Sequence, residues 1–211
     1  MILSIENLTL KFGSLAAVNN VSVQIPEGKI TGLIGPNGAG KTTLLNLISG
    51  VYVPNEGKVI FDGRDITGMR GYQINEAGIA RTYQVINLFK KMSVLDNVLV
   101  GMHSRLDGPL LGSILRSPSE RKEEKKAREN AIELLARVNL ENRIDDEAGS
   151  LSYGDQRRLE IVRGIASKPK LILLDEPAAG MNPKEKEDLD ALLRRIIDMG
   201  ITVMMILRSS A

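Results

Sequence analysis

The sequence predicts an α/β protein built on a parallel sheet that helices cover on both faces. Strand-like segments fill residues 1–34, helical patterns dominate the middle, and the last third returns to apolar runs that alternate with helices. Buried apolar runs separated by helices are typical of a covered parallel sheet. The chain can form such a core, because 43% of its 211 residues are hydrophobic.

The N-terminal part is typical of strands followed by a glycine loop and a helix. Apolar and polar residues alternate in SIENLTLKF, VSVQI and KITGLIG, and PEG forms a turn before the last of these. The segment KTTLLNLISG changes to helical spacing and is expected to end at Gly50, which suits a C-terminal cap. A further strand, GKVIFDG, then turns at Asp62 and Gly63.

Around residue 85 the pattern becomes mostly helical. Residues 117–120 have the capping-box arrangement with proline at the first helical position, and Ile132, Leu135 and Val138 lie along one later face. The charged run ERKEEKKARE is expected to solvate the opposite face.

The last third alternates helices and strands again. The helix YGDQRRLEIVRGIAS precedes the strand KLILLDEP. Residues 182–185, NPKE, are expected to cap a helix that ends near Gly200, before the strand ITVMMIL.

Composition narrows the classes of function. The 28 basic and 26 acidic residues nearly cancel, and aromatic residues make up 3%, so neither charge nor stacking favours a nucleic-acid partner. The absence of cysteine excludes disulfides and thiolate metal sites. A chain without disulfides is compatible with a cytoplasmic location. The N-terminus lacks a signal-peptide pattern, and no apolar run approaches the roughly 20 residues that cross a bilayer. We expect no direct membrane insertion, so any membrane role requires a partner.

The segment GPNGAGKT matches the phosphate-loop pattern G-x-x-x-x-G-K-[ST], and it stands between an apolar strand and a helix. In such a loop, glycines let backbone N–H groups surround phosphate oxygens, Lys41 supplies a charge, and the Thr42 hydroxyl ligates Mg²⁺. The alternative is a glycine-rich turn with a surface lysine. The predicted nucleotide-binding residues here are Gly35, Asn37, Gly38, Ala39, Gly40, Lys41, Thr42 and Thr43.

Two acids follow the buried strand in LILLDEP. Asp175 is predicted to orient the Mg²⁺ shell, and Glu176 to polarise the attacking water. By itself such a pair is more typical of a strand end that meets solvent. Together with the phosphate loop, it predicts a nucleotide site that holds Mg²⁺ and activates water.

These motifs together resemble the nucleotide-binding subunit of an ATP-binding cassette (ABC) transporter over essentially the whole chain. The match comprises GPNGAGKTT, RTYQ, LSYGDQRR, LLDEP and GMNP in family order and spacing, and LSYGDQRRLEIVRGIA is particularly similar to branched-chain amino acid importers. The resemblance implies a P-loop NTPase (RecA-like) parallel-sheet core with an antiparallel β subdomain and an inserted α-helical subdomain. It assigns residues 1–84 and 161–211 to the core, and 85–160 to the helical subdomain.

The resemblance also implies roles for residues that would otherwise be unremarkable. Phe12 occupies the position of the aromatic residue that stacks on adenine, although a core phenylalanine on an edge strand is the alternative. Gln84 corresponds to the glutamine that senses Mg²⁺ and the attacking water. The implied catalytic residues are Glu176 and Gln84, and the implied metal-site residues are Thr42, Gln84 and Asp175.

Ser152 and Gly154 match the signature motif at the start of a helix, and Asn182 lies in the loop through which two subunits sense each other. In the family, two chains pair head to tail, so that each signature helix binds the γ phosphate held by its partner. The implied partners are therefore a second, identical or related ATPase subunit and transmembrane permease subunits. The implied location is the cytoplasmic face of the membrane.

Two departures from the family pattern affect the expected activity. Tyr153 and Asp155 replace Gly and Gln of the widespread LSGGQ, a change that the importer-like subgroup tolerates. In addition, Arg208 stands near the position of a γ-phosphate histidine, while the one histidine, His103, is expected at the surface or in packing. The chain is also expected to be short at its C-terminus. We therefore expect MgATP binding with slow hydrolysis, because arginine cannot shuttle a proton near neutral pH.

The favoured hypothesis is an ATP-hydrolysing subunit of an importer for branched-chain or hydrophobic amino acids. One alternative is a hydrolysis-impaired, ATP-gated dimerisation module, and another is the ATPase of a lipid or lipopolysaccharide exporter. Soluble cassettes that act on ribosomes or DNA are disfavoured, because those normally carry paired cassettes or large insertions.

Overall fold

The computed structural model describes residues 1–102 and 118–208. They form two compact units. The first contains Met1–Gln84, Pro169–Gly180 and the residues from Leu193 onward, and the second contains Val85–Lys168 and Met181–Leu192. Within the described residues, no helix combines the length and the apolar character that a membrane span requires.

An antiparallel sheet in the first unit has the strand order β2-β1-β4-β5. Its strands are β1 (Leu3–Phe12), β2 (Leu15–Ile25), β4 (Glu56–Phe61) and β5 (Arg64–Asp65). β2 begins earlier than the alternation in VSVQI predicts, because a tight turn with Gly13 at φ 60° pairs Phe12 with Leu15. The turn at Asp62 and Gly63 is confirmed, and both residues have positive φ.

A parallel sheet in the same unit has the order β3-β8-β7-β6. Its strands are β3 (Ile30–Gly35), β6 (Ile79–Arg81), β7 (Leu171–Leu174) and β8 (Thr202–Arg208). All four residues of β7 are buried, as expected for an inner strand of a covered sheet. The predicted α/β class, with a parallel and an antiparallel sheet, is confirmed.

The first unit also contains the helices α1 (Lys41–Ile48) and α2 (Gly71–Ala77), and α6 (Pro183–Asp198) has residues in both units. α1 starts directly after the glycine loop. Its buried leucines pack in one hydrophobic core with residues of β1, β4, β7 and β8. The elements α2, β5 and β6 were not predicted from the sequence.

The second unit contains α3 (Val94–Met102), α4 (Pro118–Ala136) and α5 (Tyr153–Ala166). α3 and α5 approach closely at Gly101, where a Cβ would overlap the carbonyl oxygen of Arg163. Leu135 is buried on α4 as predicted, whereas the buried Val138 follows the helix end. Ser117, from the predicted capping box, and His103 lie outside the described residues.

α5 carries a buried ion pair. The Arg157 and Glu160 side chains are 0% and 2% exposed, and their charged atoms lie 2.6 Å apart. The second oxygen of Glu160 accepts a hydrogen bond from the backbone N–H of Asn87 at 3.1 Å. This carboxylate therefore fastens the segment that follows Gln84 in sequence to α5.

Candidate functional site

The glycine loop between β3 and α1 folds around its own lysine. The Lys41 ammonium donates hydrogen bonds to the carbonyl oxygens of Gly35 and Pro36, at 2.6 and 2.8 Å. Gly40 precedes α1 with φ 80°, and no side chain caps the helix there. The first N–H groups of α1 are therefore available to an anion.

This loop lines a cavity of about 410 Å³. Residues 37–43 form one wall, residues 15–17 of β2 form another, and Gln84 and Glu176 complete it. The structure thus brings most of the predicted phosphate-binding residues and both predicted catalytic residues to one place. A volume of this size is within the roughly 300–1,000 Å³ of small-molecule sites.

Asp175 lies at the end of β7, beside the start of α1. The Thr42 hydroxyl donates to one Asp175 carboxylate oxygen at 3.4 Å, and Asp175 is 2% exposed. Two oxygens at this separation could be neighbouring ligands of one Mg²⁺ ion. In proteins Mg²⁺ usually binds one or two carboxylates and completes its coordination shell with phosphate oxygens and water. Among the described residues no group of three or more acids, histidines or cysteines could hold a metal without such additions.

Arg81, at the end of β6, reaches the other oxygen of Asp175 at 3.7 Å. Its guanidinium also donates to the Ser49 hydroxyl at 2.6 Å and lies 4.8 Å from the centre of the Tyr83 ring. The pKa of Arg81 is lowered from its ordinary value, because burial disfavours the charged guanidinium. Electrostatic interactions with Tyr83 and Asp175 offset this effect only in part. Arg81 was not predicted as a site residue, although it is the first residue of the RTYQ motif.

Glu176 has a backbone conformation that is rare for a residue with a side chain. Its φ is 45°, and its carbonyl accepts a hydrogen bond from the Ala179 N–H at 3.1 Å. Non-glycine residues in this region cost about 1–3 kcal/mol and often mark functional sites. The turn directs the chain away from β7 immediately after Asp175.

Phe12 ends β1 and is 49% exposed, so it is not a core phenylalanine. The described residues that line the cavity do not include Phe12, but they include Leu15, its partner in the β1–β2 register. The Phe12 ring meets Tyr52 edge to face, with 5.4 Å between centroids. The sequence analysis did not single out Tyr52.

The N-terminus of α5 belongs to the second unit. The Ser152 hydroxyl accepts the Asp155 N–H at 3.2 Å and donates to the Asp155 carboxylate at 2.9 Å. Asp155 forms an ion pair with Arg158, which also lies 3.5 Å from Asp188. A cation therefore offsets the acidic charge at this helix end.

Gly154 packs against the side chain of Glu185, where a Cβ would overlap. Glu185 and Asn182 exchange side-chain to backbone hydrogen bonds of 2.9 and 3.0 Å, which confirms the predicted capping box of α6. The backbone of Arg208 ends β8, where its register partner is Gly35.

The family model described as "ABC transporter" matches residues 18–179. This range contains the phosphate loop, the α5 start and the acids after β7. The chain belongs to the ABC transporter family. The resemblance inferred from its motifs is therefore confirmed, and proteins of this class are ATPases.

Curated relatives of this ABC protein include BraF, the high-affinity branched-chain amino acid transport ATP-binding protein of Pseudomonas aeruginosa. It is 43% identical over 206 residues, which are 97% of this chain and 81% of that protein. LivG of Salmonella typhimurium, with the same description, is 43% identical over 195 residues, or 92% and 76% of the two chains. A probable LivG of Archaeoglobus fulgidus is 38% identical over 97% of this chain and 79% of that protein.

Solved structures of ABC cassettes share the fold. The ADP conformation of one cassette superposes with a TM-score of 0.86 at 33% identity, over 100% of this chain and 82% of that one. A dimeric post-hydrolysis cassette bound to ADP and Pi gives a TM-score of 0.78 at 28% identity, over 97% and 87% of the chains.

Proposed function

We propose that this ABC protein binds and hydrolyses ATP to drive a transporter of branched-chain or related hydrophobic amino acids. The observation that carries the proposal is that the phosphate loop, Gln84 and Glu176 line one common cavity. The relatives described as branched-chain amino acid transport ATP-binding proteins support the proposal that the transported molecules are amino acids of this kind.

Each part of the cavity has a proposed role in hydrolysis. The loop N–H groups and Lys41 bind the β and γ phosphates, and the Phe12 ring stacks on adenine. Thr42, Asp175 and Gln84 hold Mg²⁺, which would neutralise charge that develops on the phosphate oxygens. Glu176 accepts a proton from the attacking water, which Gln84 orients.

The start of α5 has no role within its own chain in this proposal. We propose that Ser152 and Gly154 bind the γ phosphate held by a second copy or a related subunit, so that ATP joins two chains head to tail. The dimeric cassette among the similar structures supports this arrangement. Bound phosphate would compete with Asp155 for the Ser152 hydroxyl.

The Glu176→Gln variant tests both hydrolysis and pairing. We expect steady-state hydrolysis to fall by about 10²–10⁴, because the water loses its proton acceptor. Light scattering with saturating MgATP should then give a dimer. The control Glu176→Gln/Lys41→Ala should remain monomeric, because it cannot hold the phosphates.

A Glu176→Gln protein that binds ATP tightly and stays monomeric would contradict the pairing. Undiminished hydrolysis in the same variant would instead contradict the role of Glu176.

We further propose that hydrolysis is slow in this chain, because Arg208 or its neighbour takes the position that the family resemblance assigns to a histidine. Arg208→His should raise the turnover number at least about tenfold, while Arg208→Lys, which keeps the charge, should not. Wild-type turnover as fast as that of a relative with the histidine would contradict this proposal.

The remaining assignments follow from the same function. We propose permease subunits as membrane partners and a peripheral position on the cytoplasmic face. We also propose that residues 85–160 form a helical subdomain and that residues 1–84 and 161–211 form the core. Co-purification with amino acid permease subunits would support an amino acid cargo, whereas co-purification with lipid permease subunits would contradict it.

A further inference from the structure

The aromatic ring proposed to stack on adenine has a second ring beside it. The planes of Phe12 and Tyr52 meet at 77°, with 5.4 Å between their centroids, which is a favourable edge-to-face geometry. Both side chains remain partly exposed, at 49% and 37%. An exposed phenylalanine can otherwise occupy several rotamers, so this contact restricts the Phe12 ring.

Tyr52 is itself fixed to the helix that begins at the phosphate loop. The backbone N–H groups of Val51 and Tyr52 both donate to the carbonyl oxygen of Asn46, at 2.9 and 3.2 Å. Asn46 lies on α1, whose first residue is Lys41. A rigid helix therefore sets the distance from the phosphate-binding lysine to the Tyr52 backbone.

The same segment is also fastened to β1, the strand that ends in Phe12. The Asn55 N–H donates to the Thr9 carbonyl at 2.9 Å, and the Asn55 side chain accepts the Lys11 N–H at 2.7 Å. Tyr52 thus stands between two elements that carry opposite ends of the proposed ATP site.

We propose that Tyr52 is a positioning residue for nucleotide binding. It holds the Phe12 ring at a set distance from the phosphate loop, so that adenine and triphosphate bind without reordering the site. The inference rests on the proposed function, because it takes the cavity to be an ATP site. A residue that only stabilised the fold would affect every ligand of the loop equally.

The test compares ATP with inorganic tripolyphosphate, which lacks the base, by calorimetric titration in the presence of Mg²⁺. Tyr52→Ala should weaken ATP binding about threefold to tenfold, the effect of losing one aromatic contact, and leave tripolyphosphate binding within about twofold. Tyr52→Phe should restore ATP affinity. Tyr72→Ala is the matched control, because Tyr72 lies on α2 of the same unit and is 60% exposed.

A second arm uses the double variant Phe12→Ala/Tyr52→Ala. Because Tyr52 acts through Phe12, the double variant should bind ATP no more weakly than Phe12→Ala alone. Tyr52→Leu, which keeps apolar bulk without the ring, repeats the test if Tyr52→Ala does not fold. Each folded variant is checked by its thermal midpoint.

Equal weakening of ATP and tripolyphosphate by Tyr52→Ala, or additive losses in the double variant, would overturn the inference and leave the proposed function intact. Unchanged ATP affinity in Phe12→Ala would also overturn the inference about Tyr52, because Tyr52 is proposed to act through the Phe12 ring. Failure of the wild-type protein to bind MgATP would overturn the proposed function as well, and so is distinguishable from the other outcomes.

Discussion

At the scale of single residues, Gly40 shows why the phosphate loop requires glycine at one position more than at another. Gly38 and Gly40 have nearly the same φ, 81° and 80°. A Cβ on Gly38 would meet nothing within 4 Å, whereas a Cβ on Gly40 would overlap the carbonyl oxygen of Ala17. Ala17 lines the same cavity, so Gly40 lets the loop close against β2.

The two glycines therefore make a matched pair of substitutions. Gly38→Ala should cost about 1–2 kcal/mol of unfolding free energy, from backbone strain alone. Gly40→Ala should cost about 1–3 kcal/mol more, because the loop must also move away from Ala17. Urea unfolding measures the difference, and equal losses in the two variants would contradict the packing argument.

The phosphate loop was predictable at this scale because its chemistry is local: eight consecutive residues carry it. Arg81 was not, since its contacts with Ser49 and Asp175 arise only when β6 pairs with β7. The sequence shows that a basic residue lies three positions before Gln84, but it does not show with which carboxylate that residue forms an ion pair.

At the scale of secondary-structure elements, α5 combines the proposed phosphate-binding end at Ser152 with a buried ion pair. Buried ion pairs add little net stability compared with apolar residues, but breaking one leaves a desolvated charge. Glu160 also accepts the Asn87 N–H, so two contacts hold its carboxylate in place. The pair holds the segment after Gln84 against the helix that begins next to Ser152.

Glu160→Ala should therefore lower the unfolding free energy by about 3–5 kcal/mol, because the Arg157 guanidinium loses the facing carboxylate. The double variant Arg157→Met/Glu160→Gln removes both charges and keeps an acceptor for Asn87. It should be less destabilised than Glu160→Ala, by about 1–3 kcal/mol. Urea unfolding of both variants checks this, and an equal or larger loss in the double variant would contradict it.

Elements with strong local signals were predicted, and elements that depend on distant partners were not. The capping box of α6 was predicted from residues 182–185 and is confirmed by both hydrogen bonds. The short strand β6 has only three residues, and its place follows from pairing with β7, almost a hundred positions later. The early start of β2 likewise depends on its pairing with β1.

At the scale of the whole molecule, the order of the motifs along the chain predicted the family, and the match over residues 18–179 confirms it. The division into units is less visible in sequence. The boundary at Leu192 and Leu193 falls inside α6, where composition does not change. Contacts in three dimensions, rather than any local pattern, assign the two parts of this helix.

The hydrogen bonds that Lys41 makes to its own loop also affect which ligands can enter. The ammonium group has three N–H donors, and two of them already bond to carbonyl oxygens, so an anion that takes more than one donor must displace a carbonyl oxygen. A ligand with a single phosphate offers few oxygens to offset that loss, whereas a triphosphate offers many. We therefore expect Lys41 to favour nucleoside triphosphates over nucleotides with fewer phosphates.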